Sequence, residues 1–177
     1  MPNNASSIPP EYFKAPWATS VKIATAFSCI ILFSLMGWGL FGSPGGSLAI
    51  RLVWNLSMVG VPLCLLSGSM LFMILGYELT NDAVYVKRLL WRTTIDLSGL
   101  VSVEFDPEAM SKSLRTFGNG GLFSICGTFW NRKLGNYRAY ATDPAKSVVL
   151  RFTNRVVVVV TPHDPENFAA GIRKPTH

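Results

Sequence analysis

Two long stretches without a charged side chain decide what this chain can fold into. The first runs from Ile23 to Phe41 and the second from Leu52 to Leu75. As a helix, each is about long enough to cross a hydrocarbon core of roughly 30 Å. Between them, Gly42-Ser43-Pro44-Gly45-Gly46-Ser47 has the composition of a turn and would break any continuous helix. The sequence therefore predicts a membrane helical hairpin over residues 21–75, after an N-terminal segment 1–20 and before a β domain 76–177. A cleaved signal peptide does not fit. The first run starts only after about 20 polar and proline-containing residues, no small-residue cleavage site follows it, and a second span comes at once.

Composition supports the same division. Hydrophobic residues make up 49% of the chain and charged ones 15%, a pairing that implies segregation. Of the 26 charged side chains, 22 lie from Tyr77 onward, and none falls between Arg51 and Glu78. Lys14 and Lys22 precede the first span, Lys87, Arg88 and Arg92 follow the second, and only Arg51 lies between the spans. Positive residues stay on the cytoplasmic side, so both termini are expected in the cytoplasm. Trp17, Trp38 and Trp54 fall near the expected interfaces, where amphipathic rings settle.

The second span carries Gly60, Cys64 and Gly68, each four residues apart. Small residues at that spacing open a groove along one helix face. It can receive the first span of the same chain or a partner subunit. Pro62, within this stretch, is expected to kink the helix. Cys29, Cys64 and Cys126 form no CxxC pair, and the only histidines are His163 and His177. Neither a disulfide framework nor a metal site is expected, and each cysteine reads as a small buried hydrophobe.

From Tyr77 the texture changes to short apolar runs joined by turns. Strands are expected at Tyr77–Thr80, Ala83–Lys87, Trp91–Leu97, Leu100–Phe105, Tyr137–Ala141, Ser147–Phe152 and Arg155–Thr161, which argues for an antiparallel sandwich or barrel. The five valines Val156 to Val160 read as a strand buried on both faces. Asp164, Pro165 and Glu166 start a C-terminal helix whose apolar face is Phe168, Ala169 and Ile172, with Arg173 and Lys174 at its end. Seven strands closed by a helix outline a barrel like that of pleckstrin-homology (PH) domains.

The run Arg115-Thr116-Phe117-Gly118-Asn119-Gly120-Gly121-Leu122-Phe123 is followed by Gly127-Thr128-Phe129 and then by Leu134 to Thr142. These blocks, in this order, resemble bacterial PH-like domain proteins, over roughly Gly76 to Ile172. The resemblance implies a PH-like β domain after one or two membrane helices, in a bacterial inner membrane. It brings no catalytic residues, and fold likeness does not license a function.

Gly118-Asn119-Gly120-Gly121 lacks the Gly-Lys-Ser/Thr ending of a nucleotide-binding loop and precedes no helical pattern, so it reads as part of a long structured loop. Between Met110 and Arg155, eight basic residues face one acid, a net +7 against +6 for the whole chain. Large apolar side chains interleave with them. Lys112, Arg115, Phe117, Phe123, Trp130, Arg132, Lys133 and Arg138 are the candidate contacts to lipid or to a partner. The opposing possibility is that the aromatics fold into the core and the charges are merely solvated. Glu104, Asp106 and Glu108 read as exposed strand-end charges, since no nucleophile, histidine or further ligand accompanies them.

No catalytic constellation and no cofactor motif is present, and nucleic acid is an improbable partner for a membrane-tethered chain without a recognition motif. The tight turn from Thr80 to Ala83 carries no basic residue, so phosphoinositide recognition there is unsupported. The absence of a linker after Leu75 points to a non-enzymatic, membrane-anchored adaptor or accessory subunit. Its partner is expected to be an integral membrane protein or a second copy of the chain. Binding of an anionic lipid surface through residues 110–138 is the alternative.

Overall fold

A computed structural model describes residues 10–42 and 44–173. Lys174 and His177 therefore lie outside the described residues. Helix α1 spans Thr19–Phe41 and helix α2 spans Leu48–Leu71; both are long and apolar enough to cross a membrane. Only 11% and 6% of their most apolar stretches is covered by protein, as befits surfaces that face lipid. Helix α2 ends earlier than the apolar run suggests. Ile74 and Leu75 already belong to a strand, because an apolar run cannot distinguish the end of a span from the start of a buried strand.

Within α2, residues Leu56–Gly60 form a π turn just before Pro62. Proline has no N–H to give to the carbonyl four residues back, and its ring crowds that carbonyl; widening the preceding turn relieves both. The two helices approach closely here. A Cβ at Gly39 would lie 2.5 Å from the Cβ of Met58, so only glycine permits this approach. Trp54 donates its indole N–H to the Gly39 carbonyl at 3.2 Å, an anchor inside the hairpin.

Among the described residues, ten strands surround the core: β1 Glu11–Lys14, β2 Ile74–Leu79, β3 Ala83–Arg88, β4 Arg92–Asp96, β5 Leu100–Phe105, β6 Leu114–Gly120, β7 Ile125–Asn131, β8 Gly135–Ala141, β9 Val148–Phe152 and β10 Val157–Val160. One sheet has the order β1-β2-β3-β4 and the other β5-β9-β10-β8-β7-β6. Helix α3, Pro165–Arg173, closes the domain, with the Asn167 N–H donating to the Asp164 carboxylate at 3.2 Å. The mainly-β domain with a C-terminal helix is thus as the sequence predicts, with three further strands.

Two of these, β6 and β7, replace the expected loop. The third, β1, precedes α1 and pairs antiparallel with β2, Glu11 opposite Leu79 and Lys14 opposite Gly76. The whole helical hairpin is therefore the connection between two neighbouring strands, which places the start of α1 and the end of α2 on the same sheet. The pairing of β10 with β8 is parallel, unlike the all-antiparallel expectation. Of the valine run, Val159 and Val160 are buried on opposite faces, whereas Val156 is exposed before the strand begins.

The core between the sheets centres on Phe13, Ile74, Tyr77, Val84, Leu150 and Phe168. Tyr77 joins the layers: its hydroxyl donates to the Tyr140 carbonyl at 2.6 Å and accepts from the Thr161 N–H at 3.2 Å. Complete burial pushes its phenol far above the ordinary tyrosine range. On the acid side of the titration scale, Asp96 is held below its ordinary value by hydrogen bonds from Ser98 and by Arg155.

Candidate functional site

A cavity of about 740 Å³ opens where the end of α2 meets the β domain. Cys64, Leu65, Gly68 and Phe72 form one wall, the end of β3 supplies Arg88, and the turn between β3 and β4 supplies Trp91. The floor is the shared face of β6, β7 and β8, presenting Arg115, Phe117, Cys126, Thr128, Arg138 and Tyr140. Alternation explains the selection. Side chains two apart share a face, so Arg138 and Tyr140 point together, as do Cys126 and Thr128.

Arg88 is the unusual member. It is 7% exposed and stands in no ion pair among the described residues. Its Nη1 donates to the Phe72 carbonyl at 2.7 Å and its Nε to Thr93 Oγ1 at 3.2 Å. Both Nη atoms otherwise reach only the sulfur of Cys126, at 3.7 Å. The rings of Phe72, Tyr140 and Trp91 lie 5.4, 5.6 and 6.0 Å from the guanidinium. A buried charge without a counter-ion costs several kcal/mol. Each ring returns about 0.5–2 kcal/mol. The C-terminus of α2 contributes roughly half a negative charge at the Phe72 carbonyl. These partners hold the guanidinium in place and leave part of its charge open toward the cavity.

The sequence-predicted contacts divide into distinct groups. Arg115, Phe117 and Arg138 line the cavity together, with Phe117 80% exposed. Lys133 is exposed but already paired: its ammonium meets the Asp106 carboxylate at 2.5 Å, which raises the lysine's affinity for its proton. Asp106 is correspondingly buried and also accepts from the Glu108 N–H at 3.1 Å, so it is not an exposed strand-end charge. Phe123 packs edge-on against Trp17 at 6.2 Å, outside the cavity. Lys112, Trp130 and Arg132 are exposed and lie outside the cavity.

The small-residue row also resolves differently from its simplest reading. Gly60 faces Leu56 of its own helix, and a Cβ at Gly68 would meet nothing within 4 Å. Neither seats α1; Gly39 does. Cys64, expected to be buried, is exposed, and together with Gly68 it gives onto the cavity. Arg88 could have been singled out from sequence. It continues the series Val84, Val86, Arg88 on the buried face of β3, where a cation has no ordinary reason to be.

The β6–β7 hairpin reaches back to α1. Thr25 Oγ1 donates to the Gly121 carbonyl at 3.1 Å and accepts from the Phe123 N–H at 3.0 Å. Thr25→Val keeps the shape and leaves two polar groups without partners, each worth about 1–3 kcal/mol. Hydrogen exchange should accelerate at residues 121–124 and stay unchanged in β9 and β10. Equal acceleration in both would show that the contact is not local.

A PH-like β domain fused to a pair of candidate membrane helices defines the class of this protein. The sequence profile of the bacterial PH domain family matches residues 75–175, more than half of the chain, and the chain belongs to that family. No curated protein and no solved structure matches it significantly.

Proposed function

We propose that the chain is a non-enzymatic, membrane-anchored adaptor or accessory subunit that braces a larger membrane assembly from the cytoplasmic side of a bacterial inner membrane. The observation that carries this reading is the double attachment of hairpin to domain. The helices connect paired strands β1 and β2, and α1 is also gripped at Thr25 by the β6–β7 hairpin. A domain held so closely cannot search on a tether; it suits a fixed platform.

Gentle extraction of the full chain from its native membrane is expected to bring an integral membrane partner at fixed stoichiometry. A chain that runs only as a monomer and carries nothing with it would sink the reading. The partner is identified by the co-purified protein itself.

A second reading, contact with the lipid surface, is favoured by one specific feature. The β3–β4 turn exposes Leu89, Leu90 and Trp91, and Trp91 stacks edge-on against Phe72 at the end of α2, at 5.3 Å. That contact keeps the turn beside the end of α2, which supports a position near the membrane surface. Leu90 is 73% exposed, an arrangement that suits an apolar side chain dipping into the interface. An environment-sensitive dye on Leu90→Cys, with Cys29 and Cys64 replaced by alanine, should report an apolar surrounding in liposomes and be quenched by lipid-borne quenchers. Emission typical of water would remove this contact.

A further inference from the structure

We propose that the cavity between α2 and the β domain is a binding site for one anionic phospholipid, whose phosphate group meets Arg88, Arg115 and Arg138 while an acyl chain follows Cys64 and Gly68 into the membrane. The inference rests on the membrane placement of α1 and α2 and is independent of the adaptor role.

Three observations carry it. The first is charge. Arg88 is nine-tenths buried, lines the cavity and lacks an anionic partner among the described residues. Arg115 and Arg138 line the same cavity and likewise stand in no ion pair among those residues. Three guanidinium groups around one apolar-walled space call for an anion, and a planar fork of N–H donors matches phosphate geometry. Among the described residues, no carboxylate lines the cavity.

The second is depth. Helix α2 has 24 residues. At 1.5 Å per residue that is about 36 Å, slightly more than a hydrocarbon core of roughly 30 Å. The wall from Cys64 to Phe72 covers about 12 Å of helix at the domain end, spanning the headgroup zone and the outermost acyl carbons. A phosphate at the arginines and a chain beside Gly68 would both lie at their natural depths.

The third is shape. The cavity's volume of about 740 Å³ exceeds what a free phosphate fills, and its wall at Leu65, Phe72, Trp91 and Phe117 is apolar. Gly68 leaves open space within 4 Å where a larger side chain would stand. Small residues at positions 64 and 68 thus make room for a chain running along the helix.

The test uses the full-length chain, delipidated in mild detergent, with native mass spectrometry to count bound lipid. Phosphatidylglycerol is expected to bind one per chain and at least tenfold more tightly than phosphatidylcholine. Arg88→Gln should lower that affinity at least tenfold. Because Arg88 also supports the end of α2, the double variant Arg115→Gln/Arg138→Gln, altering two exposed side chains, provides the independent measurement and should lose affinity similarly. Gly68→Leu should exclude the lipid without changing the arginines. Equal retention of both lipids, or unchanged binding by the double variant, overturns the proposal. Inorganic phosphate or glycerol phosphate competing at concentrations similar to the lipid would also overturn it, by showing a soluble-anion site. The count is made on the purified chain alone, so its outcome does not depend on whether any protein partner exists.

Discussion

Gly127→Val is expected to unpair the β6–β7 hairpin and to lower stability by about 2–6 kcal/mol, through backbone strain of ~1–3 kcal/mol and overpacking of ~1–3 kcal/mol. Gly127 has φ +146, in a region that β-branched residues avoid. A Cβ there would stand 2.1 Å from the Phe117 carbonyl oxygen. Its cross-strand partner Gly118, with φ +111, faces the reciprocal problem, 2.2 Å from the Cys126 carbonyl. Neither obstacle is a flexible side chain that can swing aside; both are backbone. Gly99 provides the control. Its φ of +72 is also positive, but nothing lies within 4 Å, so Gly99→Ala should cost only about 1 kcal/mol. Thermal unfolding in detergent separates the two cases, and comparable losses would show that crowding between β6 and β7 is not the cause. Since the hairpin carries Arg115 and Phe117 on one side and grips Thr25 at its tip, the damage should extend to lipid retention and to the hold on α1.

The same glycines explain what could not be read from sequence. Strand β6, Leu-Arg-Thr-Phe-Gly-Asn-Gly, has neither alternation nor β-branched density, and its pairing is irregular between Arg115 and Phe117. Its glycines serve the close approach of β6 to β7, which no local propensity encodes. Strand β1 is four residues between prolines and forms only because β2, some 60 positions later in the chain, offers an edge. By contrast, the spans were legible because the absence of charge over a membrane's thickness is a physical requirement. Strands β2 to β5 and β8 to β10 were legible from apolar runs between turns. At the site, three of eight candidate contacts meet in the cavity. Basic and aromatic composition marks a region but cannot say that Lys133 is claimed by Asp106 or that Phe123 is claimed by Trp17. The cation that best defines the cavity, Arg88, was visible only as a charge in phase with the buried valines of its strand.

Titration should leave a visible trace of the packing around Tyr77. A phenol whose proton is held more tightly in the folded chain ionises first in the unfolded one. The stability it supports is therefore complete below pH 10 and declines as pH rises above it. Asp96 works in the opposite sense, supporting the fold above its ordinary carboxylate range and losing that support as pH falls through it. Its carboxylate is solvent-exposed, so the alkaline limb is the one on which the core's integrity is read.

Phe168→Ala is expected to have the largest effect in the core, about 3–5 kcal/mol, as for other buried phenylalanines. Phe168 is fully buried on α3, with its ring edge-on to Phe13 at 5.1 Å and to Tyr77 at 6.2 Å. Those two rings come from β1 and β2, the strands between which the helical hairpin is inserted. Each edge-to-face pair adds about 0.5–1.5 kcal/mol beyond buried area. Truncation would thus remove the support behind the base of both membrane helices, and α3 could no longer hold β1 against its neighbour. Hydrogen exchange should show early loss of protection at residues 11–14, with β7 and β8 retained until global unfolding. Phe168→Leu, which refills much of the volume, should recover most of the stability but not the edge-on contacts. If β1 stayed protected in Phe168→Ala while the far sheet opened first, the hairpin's footing would lie in the Thr25 contact and not in the aromatic cluster.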